Sequence, residues 1–140
     1  MYSGLATSFR DTTLKPGVTY RYDVAASDAA GNTRSFPVKA VGPRLYLPAA
    51  GARVGPGAVL AWAPVRGATY YNVQIFRGSR KVLSAWPKGA HLTLARSWWY
   101  RGRREQLTPG RYRWYVWPGR GPLKAAHYGA LIGGNTFVVR

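Results

Sequence analysis

Cysteine is absent from the 140 residues, and the chain carries only 4 Asp and Glu, 2 His and 1 Met. Without cysteine there is no disulfide framework, no thiol nucleophile and no zinc site built on thiolates. The scarcity of acids is as restrictive. A paired-carboxylate hydrolase needs two acids a few ångströms apart, yet Asp11, Asp23, Asp28 and Glu105 are the only ones, and Glu105 stands alone beyond residue 43. Serine hydrolysis needs a base beside a hydroxyl and a third group to orient it; neither His91 nor His127 has a suitably spaced acid. Two His residues 36 positions apart make no zinc site, and no Asp fits a calcium loop. The best apolar run, residues 58–63, stops at Pro64, far short of the roughly 18 residues a membrane span requires. Met1-Tyr2-Ser3-Gly4 does not open like a signal peptide. The expectation is a non-enzyme with no cofactor, no metal and no membrane insertion.

Positive charge, by contrast, is abundant. Lys and Arg number 21, giving +17 at pH 7; residues 1–43 carry net +2 and residues 44–140 net +15. Such a balance favours anionic partners. Arg, Ala, Gly and Pro together make up 62 of the 140 residues. All four have GC-rich codons, so base composition is an alternative origin for the arginine. With 46% hydrophobic and 14% aromatic residues the chain can bury a core.

Strand patterns dominate. Tyr20, Tyr22 and Val24 alternate with Arg21 and Asp23; Tyr71, Val73 and Ile75 with Asn72 and Gln74; Tyr112, Trp114 and Val116 with Arg113 and Tyr115. A period of two is that of a half-buried strand. Shorter strands are predicted at Val59–Trp62, Lys81–Ser84, His91–Leu94 and Thr136–Val139. Breakers separate them at Gly55-Pro56-Gly57, Arg66-Gly67, Arg77-Gly78-Ser79, Pro87-Lys88-Gly89, Pro109-Gly110 and Pro118–Pro122. Short strands at such intervals predict an all-β, antiparallel β-sandwich. Gly51–Gly57 looks superficially like a phosphate loop, but no Lys-Ser or Lys-Thr follows and Pro56 removes a donor N–H; it reads as a loop before a strand.

One motif recurs. LKPGVTYRYDV, Leu14 to Val24, matches LTPGRYRWYV, Leu107 to Val116, with one residue fewer before the first Tyr and an offset of 93 positions. That is about one sandwich domain. The motif reads as a Leu plugging the end of a core, a Pro-Gly turn, and a Tyr whose ring packs inward while its hydroxyl reaches backbone near the turn.

On these residues the chain resembles the fibronectin type III family, in the form common in bacterial secreted and surface proteins. Residues 14–35 resemble the end of one such module, including the hairpin Asp28-Ala29-Ala30-Gly31-Asn32. Residues 44–140 resemble a complete, divergent module: Leu60-Ala61-Trp62 the tryptophan-bearing second strand, Val65 to Ile75 the third strand with its preceding turn, and Leu107 to Val116 the tyrosine corner and sixth strand. After Val116 the pattern departs, with Pro118–Pro122 and a longer segment to Gly134 in place of the hairpin. The resemblance implies an immunoglobulin-like sandwich, an extracellular or cell-surface location, and a role as spacer or adhesive unit. Residues 1–43 then hold about three strands of seven, with Pro37–Pro48 as the last strand and a short joint at Gly42-Pro43. Half a sandwich exposes an apolar face and unpaired edges, so neighbouring domains of a longer parent chain are the expected partners.

The aromatics divide. Trp62, Tyr71 and Trp114 fall on inward stripes and read as core. Trp98, Trp99 and Tyr100 are consecutive and cannot all face inward on a strand; Trp86 and Trp117, beside prolines, join them as candidates for exposure. Exposed rings stack on sugars or bases, or centre a protein interface. The densest basic stretch follows directly, Arg101, Arg103 and Arg104, continued by Arg111 and Arg113 on the outward face of the sixth strand. Trp98, Trp99, Tyr100, Arg101, Arg103, Arg104, Arg111 and Arg113 therefore form the candidate ligand site. Its expected ligand is an anionic polysaccharide or cell-wall polymer ahead of nucleic acid, since no recognised nucleic-acid module is present. The plainer readings are rings covering a loop and arginine set by codon usage. His91 reads as a strand residue, His127 as a loop residue, and Asp28 as a cap on the hairpin backbone.

Overall fold

The computed structural model describes residues 11, 13–15, 18–42 and 44–140. The chain divides into two compact units, Met1–Pro43 and Arg44–Arg140.

In the first unit, β1 (Thr19–Ser27) and β2 (Thr33–Val41) form an antiparallel hairpin, in unbroken register from Thr19 opposite Val41 to Ser27 opposite Thr33. Asp28 closes it. Its carboxylate accepts bonds from the Ala30 N–H at 2.9 Å, the Asn32 N–H at 2.9 Å and Asn32 Nδ2 at 2.8 Å. Those bonds, the Asn32 ones foremost, hold the Asp28 carboxyl below its ordinary range. The cap expected at Asp28 is present. The last strand begins at Thr33, earlier than the predicted Pro37, and Pro37 lies opposite Asp23 within it. A two-stranded sheet is all edge, which is where a strand tolerates proline. The expectation of a third strand in residues 1–43, and the Pro16-Gly17 turn of the repeated motif, fall outside the described residues.

The second unit carries β3 (Leu45–Leu47), β4 (Ala52–Val54), β5 (Val59–Trp62), β6 (Tyr70–Arg77), β7 (Arg80–Ala85), β8 (His91–Thr93), β9 (Ser97–Tyr100), β10 (Arg103–Gln106), β11 (Gly110–Arg120), β12 (His127–Tyr128) and β13 (Gly133–Val139). A short 3-10 turn, Leu123–Ala125, is the one helical element among the described residues. Six strands form a sheet in the order β4-β13-β11-β6-β7, with β12 added to β11; β3-β5-β8 form a second sheet, and β9-β10 a hairpin. All pairings are antiparallel except β13 with β4. The architecture is all-β and sandwich-like.

The core lies where the two larger sheets meet. Leu60 and Trp62 of the three-stranded sheet pack with Tyr71, Val73, Ile75, Tyr112, Trp114, Val116, Phe137 and Val139 of the six-stranded one, all buried. The Trp62 ring centroid lies 5.3 Å from that of Tyr71 and 6.1 Å from that of Trp114, so the three rings read as core are one cluster. Full burial of each such side chain stabilises by about 1.5–3 kcal/mol. Tyr112 stacks on Phe137 at 5.2 Å and 10°. Its hydroxyl accepts from the Thr108 N–H at 3.1 Å and donates to the Thr108 carbonyl at 2.9 Å, tying the loop across the end of the core. Leu107 packs against the same core. A similar bond occurs earlier in the chain, ahead of β6, where the Val65 N–H donates to the Tyr71 hydroxyl at 3.0 Å.

Several local expectations are corrected. Gly51–Gly57 is not merely a loop, because Ala52–Val54 forms β4 beside β13; the register there is supplied by the distant C-terminal strand. Pro118–Pro122 does not end the sixth strand, since β11 continues through Pro118 to Arg120 and pairs with Tyr70 and Tyr71 and with β12. His127 sits in β12 rather than a loop. The final hairpin exists, joining β11 to β13 from Gly110 opposite Val139 to Val116 opposite Gly133. Strands β3, β9 and β10 were not read from the sequence.

Candidate functional site

The candidate residues from Trp98 to Arg104 lie on the β9-β10 hairpin, whose tip is Arg101-Gly102. Both tip residues have positive φ, 49° and 72°, the signature of a type I′ turn that matches strand twist. The Arg101 guanidinium sits 5.5 Å from the Tyr100 ring centroid.

Register then sorts the cluster. Trp98 lies opposite Glu105, Trp99 opposite Arg104 and Tyr100 opposite Arg103. Because strand side chains alternate, Trp98 and Tyr100 share one face with Glu105 and Arg103, while Trp99 and Arg104 share the other. Trp98 is half-buried against the core, its Nε1 donating to the Val82 carbonyl at 2.7 Å. Trp99 is 72% exposed, and Arg104 beside it donates to Ser97 Oγ at 3.2 Å. On the first face Glu105 is clasped by both ends of the Arg80 guanidinium. The Arg80 bond holds the Glu105 carboxyl below its ordinary value of 4.5 against the opposing effect of burial. Around this pair lies a shallow depression of about 290 Å³ lined by Arg80, Lys81, Tyr100, Arg101, Arg103 and Glu105. Four cations surround one neutralised carboxylate, so the depression favours an anion.

Arg111 and Arg113 belong elsewhere. Tyr112, Trp114 and Val116 of β11 face the core, so Arg111, Arg113, Tyr115 and Trp117 project from the outer face of the six-stranded sheet. Arg113 also donates to the Gly78 carbonyl at 2.9 Å, in the turn between β6 and β7. The structure thus gathers Tyr100, Arg101 and Arg103 at the depression, places Trp99 and Arg104 on the opposite face of the hairpin, commits Trp98 to packing, and puts Arg111 and Arg113 on the sheet.

That outer sheet face holds further residues. Register sets Phe76 opposite Arg113, Gln74 opposite Tyr115 and Asn72 opposite Trp117. Phe76 meets Tyr115 edge-on at 5.8 Å, and Tyr115 inclines to Trp117 at 6.1 Å and 35°. Lys81 Nζ lies 5.6 Å from the Phe76 centroid. A Cβ on Gly134 would come within 2.5 Å of the Tyr115 ring, so one edge of the ring abuts the glycine. Nearer the β12 end, Tyr70 meets Tyr128 edge-on at 5.9 Å, and Trp86 Nε1 donates to the Tyr128 hydroxyl at 2.9 Å. Trp86 is 44% exposed and Trp117 half-buried. Reading the outward stripe of β11 two residues past Arg113 would have found Tyr115 beside Trp117. Phe76, Lys81 and Gly134 join them through strand pairing, for which local sequence holds no signal.

Among the described residues, no group of three or more His, Asp or Glu is placed to hold a metal ion, and no helix is long and apolar enough to cross a membrane. No family model, curated protein or solved structure matches the chain.

Proposed function

We propose that the chain is a non-catalytic module of fibronectin type III type, with an immunoglobulin-like sandwich in residues 44–140, that spaces or presents neighbouring domains of a larger bacterial extracellular or surface protein. One observation carries this reading. The Tyr112 hydroxyl takes the Thr108 N–H at 3.1 Å, and in the other copy of the repeated motif the Tyr20 hydroxyl takes the N–H of Lys15, the equivalent residue, at 2.9 Å. Two copies of one loop-pinning device, 93 positions apart, are what serial modules in one chain would carry. A spacer is defined by length and stiffness and not by its surface. Replacing residues 44–140 in the parent protein by an unrelated sandwich of equal length should therefore preserve its activity, while a Gly/Ser linker should not. Loss of activity with the folded replacement overturns the spacer.

A second reading, a binding module for an anionic polymer with cell-wall polysaccharide ahead of nucleic acid, is favoured by the exposure of Trp99 beside Arg104 and by the cationic depression. Replacing Arg101, Arg103 and Arg104 by Gln should weaken polyanion binding and flatten its salt dependence. Unchanged binding by that triple variant excludes the hairpin as the site.

A further inference from the structure

The outer face of the six-stranded sheet combines features that packing of the module itself does not require. Phe76, Tyr115 and Trp117 run in a continuous chain of ring contacts at 5.8 and 6.1 Å on the face turned away from the core. Tyr115 and Trp117 are half-buried and Phe76 likewise, so each ring leaves part of its surface to solvent. Beside them Asn72 is only 7% exposed, and its side-chain oxygen has no hydrogen-bond partner. That oxygen is closed to solvent, so it packs under the rings and offers a ligand nothing. Gln74, next on the same face, is a second amide lying opposite Tyr115. Charge is arranged along the strip rather than spread over it. Lys81 and Arg113 stand at the Phe76 end with Arg111 beyond, whereas Trp117 lies across from neutral Asn72.

We infer that this face is a binding site for a linear acidic polysaccharide, sharing Lys81 with the depression at the β9-β10 hairpin. Sugar rings lie against Trp117 and Tyr115, their hydroxyls bond the half-buried amide of Gln74, and an acidic group on the chain meets Lys81 and Arg113 at the Phe76 end. Aromatic faces take the apolar face of a sugar, and amides offer both the donor and the acceptor that a hydroxyl needs. Lysine and arginine supply the charge-assisted bonds to the acid. The charge pattern argues against single-stranded nucleic acid, which carries a phosphate at every nucleotide and is bound by grooves that are cationic along their whole length. Here the cations flank one end of the ring chain. Gly134 leaves room for the edge of the Tyr115 ring, because any larger residue there would meet it.

The test uses the full chain, with binding to polygalacturonate, a neutral mixed-linkage β-glucan and oligo(dT) measured by calorimetry at about 50 and about 300 mM salt, these bracketing strong and weak screening. Polygalacturonate binding should persist at the higher salt. Trp117→Leu and Tyr115→Leu, which keep apolar bulk but remove the π face, should each weaken it by ~10- to ~100-fold at both salts. Gly134→Ala, which displaces the Tyr115 ring without touching the core or any charge, should weaken it in the same direction. Lys81→Gln with Arg113→Gln should cost affinity mainly at low salt. Circular dichroism and light scattering on every variant report folding and association state. Polygalacturonate affinity unaffected by the two Leu variants and by Gly134→Ala overturns the site. So does tighter binding of oligo(dT) that depends on the same rings, or a wild-type dimer that these substitutions convert to monomer.

Discussion

The two units use one strand motif and reach different degrees of burial. In residues 44–140 the motif's tyrosine, Tyr112, is 1% exposed and stacked on Phe137. In the first unit the equivalent Tyr20 is half-buried, stacked on Tyr22 at 6.5 Å, and the neighbouring Val24, Phe36 and Val38 are 50%, 49% and 43% exposed. The hydroxyl bond to the loop is present in both. The difference is the second layer: Tyr112 and Trp114 have Leu60 and Trp62 packed into the same core, while the β1-β2 hairpin is a single two-stranded sheet among the described residues. The hydroxyl bond pins a loop locally, but only an opposing sheet removes the apolar face from water.

This contrast can be broken in a graded way. The largest effect is expected from Trp114→Ala, which empties a fully buried site in the second unit and should cost about 3–5 kcal/mol in a denaturant melt. Val24→Ala in the exposed hairpin face should cost well under ~1 kcal/mol. If the two substitutions cost the same, the hairpin has a second layer that the contrast overlooks. Next comes Tyr112→Phe, which leaves the ring in place and removes a hydroxyl bonded at both sides; about 1–2 kcal/mol is expected. Tyr20→Phe should cost less, because that hydroxyl is near water and its loss is made good by solvent.

The acids sharpen the comparison at the smaller end. Asp28→Ala should leave the second unit's melt unchanged and raise the exchange rates of the Ala30 and Asn32 amides, which the carboxylate holds, as read by NMR hydrogen exchange. Asp28 and Glu105 both have folded carboxyls depressed below their ordinary values. Each therefore contributes stability that is fully present above the ordinary carboxylate range and is lost as pH falls through the depressed folded value. Glu105→Gln should lower the second unit's midpoint slightly at neutral pH, where the carboxylate's contribution is present, and leave it unchanged below the depressed folded value, so that its acid limb is shallower. An unchanged acid limb in Glu105→Gln would mean that the Arg80 contact is not kept in solution.

The alternation of Tyr71, Val73 and Ile75, of Tyr112, Trp114 and Val116, and of Tyr20, Tyr22 and Val24 was legible because a strand's period of two is written in adjacent residues. The Asp28 cap and the Tyr112 loop bond were legible for the same reason, their partners lying within four residues. The candidate hairpin was located by composition, but its two faces were not separable until the β9-β10 register set Trp99 beside Arg104 and Trp98 beside Glu105. A one-residue slip in that register would exchange the faces. The β4 strand escaped notice because three residues carry too little pattern, and its pairing comes from β13 more than 80 positions away.

Residue order alone thus settled that this is a β protein, where most strands run, which rings form the core, and that thiol, paired-carboxylate and metal-cluster chemistry has little material to work with. Those are properties of composition and of short-range geometry. Which arginines stand together, that Trp98 packs while Trp99 is exposed, and that Phe76, Tyr115 and Trp117 line one face with Lys81 and Arg113 at its end were decided by strand pairing across gaps of tens of residues. The free energy that selects such pairings comes from burying a shared core, and no window of local sequence contains it.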